Sequence, residues 1–145
     1  MKKVTIYTDG ACQPNPGIGG WGAILCYGDI EKEIFGGVPF ATNNQMELLA
    51  AVEALTELKE PCEVQLVTDS MYLKNGNEQW MQRWITNGWR TVEGKPVKNR
   101  DYWQRLHALG QKHRISWKWV AAHSGHAYNE RVDALAVRGR LTLKG

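Results

Sequence analysis

The chain has 145 residues, 43% of them hydrophobic and 23% charged, without a low-complexity tract, which predicts one globular domain over residues 1–145. No apolar run approaches the roughly 20 residues that span a bilayer, and the apolar start is too short for a signal peptide and is interrupted by Asp9. An odd number of widely spaced cysteines argues against a disulfide framework or a paired metal motif. A reducing cytoplasm fits these features best, and we expect a monomer.

The first part of the chain predicts an antiparallel meander followed by a helix. Runs rich in β-branched and aromatic residues predict strands at residues 4–9, 20–28 and 31–38, and the short connections between them favour antiparallel pairing. The segment 42–59 places its leucine and valine side chains at helical spacing, and Pro61 follows its end.

The remainder of the chain predicts two more strands and three helical segments. The fourth strand is reached through a helix, which implies a parallel crossover from the first strand. In chain order we expect strand 64–69, helix 70–85, loop 88–99, helix 101–112, strand 115–121 and helix 128–140. This pattern predicts an α/β fold with a five-stranded mixed sheet.

Basic and aromatic residues are concentrated between Lys74 and Lys118. This segment contains ten basic and three acidic residues, a net charge of about +7, which leaves about −4 for the rest of the chain. It also contains six of the seven tryptophans. Basic side chains interleaved with flat rings suit a nucleic-acid backbone with stacked bases, although each tryptophan by itself is equally well explained by a protein core. The joint enrichment favours a nucleic-acid-binding face.

Four carboxylates are candidates for a metal site. Asp9 and Asp69 each follow a threonine at the end of a predicted strand, so they converge at one sheet edge if their strands are parallel neighbours. Glu47 lies near the start of the long helix, and Asp133 lies on the closing helix. Acids brought together repel one another unless a cation lies among them, and oxygen ligands suit Mg²⁺ or Mn²⁺. Two such ions about 4 Å apart can activate a water and stabilise the leaving oxygen of a phosphodiester.

Each of these acids also has a structural explanation. Glu47 can form a capping box with Asn44, three residues earlier. Asp9 and Asp69 can be turn or N-cap residues, and Asp133 can favour the positive end of a helix dipole. The spacing of the four residues alone leaves both kinds of role open.

Two histidines occur in the segment AAHSGHAYNERVDALA. His123 and His126 lack nearby cysteine or histidine partners for zinc, and no G-x-S-x-G elbow is present for a serine hydrolase. A loop histidine is more often a structural hydrogen-bonding residue, but beside the acids His123 can move protons.

Several longer motifs, taken in chain order, are similar to those of one family. The chain resembles bacterial type 1 ribonuclease H in the segments TDGACQPNPGIGGWGAIL, TNNQMELLAA, LVTDS, KPVKNRDYWQRL and WVAAHSGHAYNERVDALA, and the similarity covers nearly its whole length. The resemblance implies the ribonuclease H-like fold, with three antiparallel strands, two strands parallel to the first, and flanking helices. It implies an endonuclease that cuts the RNA strand of RNA/DNA hybrids with little sequence specificity and leaves 3′-hydroxyl and 5′-phosphate ends.

The resemblance also assigns roles around the acids. It implies that Asp9, Glu47, Asp69 and Asp133 hold two Mg²⁺ ions with the scissile phosphate between them, and Mn²⁺ is a substitute. His123 matches a loop histidine that assists proton transfer or product departure.

A second set of residues matches positions that contact the hybrid duplex. Asn15 and Asn43 match residues that touch the hybrid, and Cys12 matches a backbone contact in the turn after the first strand. Thr42, together with Asn15, would help to seat a DNA phosphate.

The tryptophan-rich segment matches the side of the family that meets the DNA strand. Trp80 and Trp103 would form part of the channel for this strand. We call residues 80–99 the basic protrusion, after the corresponding feature of the family. Its cations here are Arg83, Arg90, Lys95 and Lys98.

The chain departs from the family pattern at three places. Residues 85–87 are Ile-Thr-Asn where some bacterial members have a basic run, so we expect a weaker protrusion. Met71 stands where a glutamine that reaches the minor groove is common, and methionine cannot donate a hydrogen bond. An Ala-Ala pair precedes His123 where a Lys-Gly pair is frequent, which removes a charge.

Two other functions are alternatives to hybrid cleavage. A catalytically silent module would bind hybrids without cutting them, and a transposase-like relative would cut duplex DNA. The intact set of four acids argues against the first. The lack of an appended DNA-binding domain in residues 1–145 argues against the second.

Overall fold

The computed structural model describes residues 1–121 and 126–143. Its strands are β1 (Lys2–Gln13), β2 (Gly17–Tyr27), β3 (Ile30–Ala41), β4 (Cys62–Thr68) and β5 (Arg114–Trp119). They form one sheet in the spatial order β3-β2-β1-β4-β5. The first three strands pair antiparallel, whereas β4 pairs parallel with β1, and β5 pairs parallel with β4. The predicted α/β fold with a five-stranded mixed sheet is confirmed.

The helices are α1 (Asn43–Thr56), α2 (Met71–Asn75), α3 (Met81–Thr86), α4 (Arg100–Lys112) and α5 (Ala127–Thr142). A π-helical turn, Gly76–Trp80, joins α2 to α3 where the sequence predicts one uninterrupted helix. This turn brings the Gly76 backbone against Trp103, because a Cβ on Gly76 would lie 2.0 Å from Trp103 Cη2. A single wider turn has no sequence pattern of its own, so the segment resembles a continuous helix.

Strand β1 continues past Asp9, where the sequence predicts its end. It pairs with β2 as far as Gln13, but its pairing with β4 ends at Tyr7 and Val67. Asp9 therefore lies where β1 has lost its parallel neighbour and keeps only its antiparallel one. Residues 10–13 contain no β-branched side chain, so their strand character is not visible in the sequence.

Helices cover both faces of the sheet. Ile6 of β1 belongs to the larger core cluster, formed with α1 and α4, whereas its neighbour Tyr7 packs against the cluster that contains Leu135 of α5. Since successive side chains of a strand point to opposite faces, these clusters lie on opposite sides of the sheet. Helix α5 approaches β2 closely at Gly20, where a Cβ would lie 2.0 Å from the Ala136 carbonyl oxygen.

The segment between α3 and α4 is largely irregular, as predicted for residues 88–99. One isolated β-bridge joins Arg90 to Pro96. Trp89 and Asn99 have left-handed backbone conformations, with φ of 62° and 61°. Among the described residues, no helix is both long enough and apolar enough to cross a membrane.

Candidate active site

Two of the predicted acids meet because β1 and β4 are parallel neighbours. The last β1–β4 pair is Tyr7 with Val67. Asp9 and Asp69 each lie two residues beyond that pair, so both occur at the same edge of the sheet. The carboxyl ends of parallel strands are where crevices form in open α/β sheets, as the sequence predicts here.

Gly10 allows the helix that carries Glu47 to approach β1. A Cβ on Gly10 would lie 2.4 Å from the Met46 carbonyl carbon and 2.5 Å from the Glu47 nitrogen, so a side chain does not fit between β1 and α1. The Gly10 amide donates hydrogen bonds to Glu47 Oε1 and, at 2.9 Å, to Asp9 Oδ1. Glu47 is therefore buried, with 8% of its surface exposed, beside Asp9.

Thr42, and not Asn44, caps the start of α1. The Thr42 hydroxyl oxygen accepts a hydrogen bond from the Gln45 amide at 3.2 Å, and Gln45 Oε1 accepts one from the Thr42 amide at 3.1 Å. The alternative in which Glu47 forms a capping box with Asn44 is therefore wrong. Because Gln45 completes the capping box, the Glu47 carboxylate takes no part in it and faces the sheet.

The carboxylates of Asp9, Glu47 and Asp69 form a compact group, which we call the carboxylate cluster. One oxygen from each lies within 4.8 Å of the others. Burial raises the pKa of Asp9 from 3.8 to about 7. The negative charges of Asp69 and Asp133 also raise this pKa, whereas hydrogen bonds from Glu47 and Gly10 lower it. Burial likewise raises the pKa of Glu47 well above its ordinary value, and the charge of Asp9 adds to this. Without a cation, this pair retains a proton near neutral pH.

Asp133 lies outside the carboxylate cluster but close enough for its charge to raise the pKa of Asp9. Its helix, α5, packs against β2 at Gly22, the antiparallel partner of Asp9. A Cβ on Gly22 would lie 2.5 Å from Leu135 Cβ and 3.0 Å from the Val132 carbonyl oxygen. Asp133 itself is exposed. Three of the four predicted acids are thus brought within ligand distance of one another, and the fourth lies near them.

The carboxylate cluster fits a hard divalent cation. Its ligand atoms are carboxylate oxygens, without sulfur or nitrogen, which is the donor set of Mg²⁺ or Mn²⁺ rather than of zinc. The raised pKa values show that the bare cluster favours added positive charge, which a proton or a metal ion can supply.

An open cleft of about 490 Å³ lies over the carboxylate cluster. Met71, which is 48% exposed, lies on its wall, so a thioether faces the cleft at the position where an amide is common in the family. The other lining residues outside the cluster are Gly10, Ala11, Cys12, Asn43, Asn44, Ser70 and Tyr72. The cleft combines acids, short polar side chains and backbone amides.

Comparison with known proteins agrees with this geometry. The family described as RNase H matches residues 1–140. The chain belongs to the RNase H family. It is 62% identical over 139 residues to the Ribonuclease H of Alcanivorax borkumensis, an alignment that covers 96% of this chain and 92% of that protein. The predicted resemblance to bacterial type 1 ribonuclease H is confirmed.

Two solved structures share the fold of this RNase H. LC9-RNase H1, described as a type 1 RNase H with the type 2 active-site motif, has a TM-score of 0.89 and 29% identity, covering 98% of this chain and 74% of that chain. LC11-RNase H1 in complex with an RNA/DNA hybrid has a TM-score of 0.75 and 19% identity, covering 98% of this chain and 99% of that chain. The second likeness concerns the fold alone.

Four residues predicted to contact the hybrid lie together beside the start of α1 in this RNase H. Asn15 Oδ1 accepts a hydrogen bond from the Asn43 amide at 3.1 Å, which ties the turn after β1 to α1. The Cys12 thiol donates to the Ala41 carbonyl at 2.8 Å, just before Thr42. Both asparagines are exposed. Their contact with a hybrid stays a prediction.

Trp103 is a core residue, so its predicted place in a DNA channel is wrong. It is fully buried, and its indole donates a hydrogen bond to the Tyr72 hydroxyl at 3.1 Å. Trp80 is only half-buried, and its ring lies 5.7 Å from that of Tyr72 and 5.9 Å from that of Trp84. Trp103 therefore packs against Tyr72 inside the core. Trp80 keeps exposed surface that a DNA strand can contact.

The cations of the basic protrusion are exposed. Arg90 Nη1 donates to the Gly94 carbonyl at 2.9 Å, which closes the tip of the loop. Across the part of the chain that the structure describes, none of the four cations forms an ion pair. Their charges are available to an anionic partner, and the contact of Arg83, Arg90, Lys95 and Lys98 with a hybrid stays a prediction.

A chain of hydrogen bonds that the sequence does not reveal joins α1 to the base of the protrusion. Gln45 Nε2 donates to Asn99 Oδ1 at 3.1 Å, and Asn99 Nδ2 donates to the Tyr72 hydroxyl at 3.0 Å, the same oxygen that accepts from Trp103. These residues are far apart in sequence, so no local motif indicates the chain. The one local signal is Asn99 itself, because asparagine tolerates the left-handed conformation found there.

His123 lies outside the residues that the structure describes, and its role in proton movement stays a prediction. Strand β5 ends at Trp119 before that segment, and α5 begins at Ala127 after it.

Gly10→Ala is expected to destabilise this RNase H by about 1–3 kcal/mol, because the new methyl meets backbone atoms of α1 that cannot rotate away. Moving α1 outward also separates Glu47 from Asp9, so activity should fall with stability. Gly110→Ala is the control, since nothing lies within 4 Å of its added Cβ, and alanine in a helix gains about 1 kcal/mol over glycine. Thermal melting checks both variants. An unchanged melting temperature for Gly10→Ala would contradict the close packing of α1 on β1.

Proposed function

We infer that this RNase H is a metal-dependent endonuclease that hydrolyses the RNA strand of RNA/DNA hybrids. The observation that carries this function is the carboxylate cluster of Asp9, Glu47 and Asp69 at an open cleft, in a chain that matches the RNase H family over residues 1–140. Bare carboxylates repel a phosphate backbone, so a cleft of this kind binds nucleic acid productively only with cations in it.

We propose Mg²⁺ as the cofactor, two ions in the presence of substrate, with Mn²⁺ as a substitute. Asp9, Glu47 and Asp69 would hold the ions, and Asp133 would complete the ligand set. When bound, such ions activate water and stabilise negative charge on the leaving oxygen of the phosphodiester. The chain itself keeps the ligands in place, because the Gly10 amide binds one oxygen of Asp9 and one of Glu47.

We propose that short polar groups beside α1 hold the hybrid. Asn15, Asn43 and the backbone at Cys12 would reach RNA sugars, which differ from DNA by the 2′-hydroxyl. The Thr42 hydroxyl accepts the Gln45 amide and still has its own proton to donate to a DNA phosphate. Contacts to sugars and phosphates carry no base information, so cleavage should have little sequence specificity.

We also propose that the enzyme acts as a monomer in the cytoplasm. Its cysteines are free thiols, which suits a reducing compartment. The three acids of the carboxylate cluster come from one chain, so the site needs no residue from a second copy.

The test of this function is cleavage of a hybrid labelled on either strand, with and without Mg²⁺, beside duplex DNA and duplex RNA. We expect cuts only in the RNA strand of the hybrid, only with the ion, and with 3′-hydroxyl and 5′-phosphate ends. Tight binding without cuts in Mg²⁺ or Mn²⁺ would instead indicate a silent binding module. Cuts in duplex DNA would indicate a DNA-cutting relative.

Neutralising three cations of the basic protrusion, Arg83, Arg90 and Lys95, is expected to weaken hybrid binding with little change in the saturated rate. Each phosphate contact that is lost should flatten the plot of log affinity against log salt by about one unit. Equilibrium binding at several salt concentrations measures this slope.

The matched control neutralises Lys3, Lys59 and Arg114, which are exposed and lie near the other edge of the sheet, where the parallel strands begin. The change in net charge is the same, so only the position of the charge differs. Equal salt slopes for the two triple variants would mean that the protrusion does not touch the nucleic-acid backbone.

A further inference from the structure

The turn that carries Asp69 is held by hydrogen bonds on both sides. Thr68, the last residue of β4, accepts a hydrogen bond from the Val120 amide at 2.9 Å through its carbonyl. Its hydroxyl oxygen accepts another from the Ser70 amide at 3.1 Å. Ser70 Oγ in turn accepts the Leu73 amide at 3.2 Å and caps α2. The peptide of Asp69 lies between these anchored neighbours.

The Asp69 carbonyl lies beyond the strand pairing and is bound by a side chain. In the β4–β5 register, the last pair is Thr68 with Trp119. One residue further on, the Trp119 indole donates its Nε1 hydrogen to the Asp69 carbonyl oxygen at 3.1 Å. An indole N–H is a donor only, so this contact has one possible direction. The ring thus provides the cross-strand bond at the first position where the backbone pairing has ended.

Burial alone does not account for the position of the Trp119 ring. Trp119 is 42% exposed, although a large aromatic side chain gains most when it is fully buried. Its neighbour Trp117, two residues earlier and on the same face of β5, is less exposed and packs against the main core. Both rings line one small cavity of about 160 Å³ next to α2. The two rings therefore share one cavity, but it is the Trp119 ring that donates the hydrogen bond to Asp69.

We propose that Trp119 is a positioning residue that holds Asp69 in the carboxylate cluster. The proposal rests on the proposed function in that the cluster is taken to bind the catalytic metal. Asp69 lies within 4.8 Å of two other acids and is repelled by both, so its backbone needs a fixed anchor to stay there. Without the indole bond, the Asp69 carboxylate samples more positions, and fewer of them are suited to a metal ion.

The variant that tests this is Trp119→Phe, which keeps an aromatic ring and removes the N–H. Trp117→Phe is the matched control, because it removes an indole from the same cavity and leaves the Asp69 contact intact. Calorimetric titration with Mn²⁺, without substrate, measures metal affinity, and single-turnover cleavage over a Mg²⁺ series gives the activation midpoint. Hybrid affinity in the absence of divalent ions is measured separately.

For Trp119→Phe we expect metal affinity and the Mg²⁺ midpoint to weaken by about three- to tenfold, the range for one lost hydrogen bond. Saturating Mg²⁺ should restore most of the cleavage rate, and hybrid affinity should not change. Trp117→Phe should melt at a lower temperature but bind Mn²⁺ like the unchanged protein. Trp119→Leu, which has no hydrogen-bond donor, should repeat the result if Trp119→Phe folds poorly.

Three outcomes would overturn the proposal. One is unchanged Mn²⁺ affinity in Trp119→Phe, and another is an equal loss in both tryptophan variants. The third is weaker hybrid binding with unchanged metal affinity, which would make Trp119 a substrate contact. If the unchanged protein binds Mn²⁺ but cuts no hybrid, the proposed function fails, and the calorimetry still decides the role of Trp119.

Discussion

Asp9→Asn is expected to abolish cleavage of RNA/DNA hybrids while leaving the fold intact. An amide is a poor replacement for a carboxylate that binds a divalent cation. The bound ion stabilises the negative charge of the transition state by several kcal/mol, and this stabilisation would be lost. The rate with saturating Mg²⁺ should therefore fall by a factor on the order of 10³ or more. The hydrogen bond from the Gly10 amide can still be accepted by the amide oxygen, so the local structure is kept.

The same substitution should stabilise the metal-free protein at neutral and alkaline pH. Because the folded-state pKa of Asp9 is raised from 3.8 to about 7, folding is favoured by the proton. That contribution is fully present below pH 3.8 and is lost as the pH rises through about 7. Asparagine never carries the charge, so Asp9→Asn should gain about 1–3 kcal/mol at pH 8 and much less at pH 4.

Two measurements check this pair of effects. Single-turnover cleavage in Mg²⁺ gives the rate, and urea unfolding in a chelator at pH 4 and pH 8 gives the stability. Asp29→Asn, an exposed aspartate in the turn between β2 and β3, makes the same charge change away from the carboxylate cluster and should alter neither quantity. Wild-type turnover for Asp9→Asn would refute the metal site, and a stability gain that is equal at both pH values would refute the raised pKa.

The five-stranded sheet could be predicted from the sequence, and so could the edge of the sheet at which the acids lie. Both follow from local sequence patterns together with one rule of chain connection. A helix between two strands implies a parallel pair, and parallel strands bring Asp9 and Asp69 to one edge. The position of Glu47 could not be derived in this way. It depends on Gly10, where the absence of a side chain lets a helix distant in sequence approach β1.

Two local predictions failed for identifiable reasons. The capping box considered for Asn44 and Glu47 lies two residues too late, although Thr42 and Gln45 have the spacing T-x-x-Q that signals a box. The family resemblance predicts Trp103 in the DNA channel, although a protein core explains each tryptophan of the segment equally well. The burial of Trp103 follows from the π-helical turn, which presents Gly76 to its ring, and such a turn has no sequence pattern.

The chain of hydrogen bonds from Gln45 to Tyr72 could not be predicted from sequence at all. Gln45, Asn99 and Tyr72 lie on three different elements, and their donors and acceptors meet only when the sheet and helices are assembled. The same holds for the bond from Trp119 to Asp69. Sequence patterns indicate which side chains are available for chemistry, whereas the contacts that orient them come from packing.

His123→Ala is expected to slow single-turnover cleavage by roughly 10²–10⁴-fold, the usual contribution of a positioned group that moves a proton. Hard cations are satisfied by carboxylate and water oxygens, so His123 is not required as a ligand. Mn²⁺ affinity and hybrid affinity should therefore stay close to those of the unchanged protein. The residual rate should be clearly above that of Asp9→Asn.

The measurement is single-turnover cleavage between pH 6 and 9 for His123→Ala, Asp9→Asn and the control His126→Ala. His126 precedes α5 and its side chain makes no capping hydrogen bond, so its loss should have little effect on the rate. Histidine changes its charge close to neutral pH, so removing a proton-moving histidine should also change the shape of the pH profile. If His123→Ala is as inactive as Asp9→Asn, or loses Mn²⁺ binding, then His123 is a metal ligand. The ligand set of Asp9, Glu47, Asp69 and Asp133 would then have to include it.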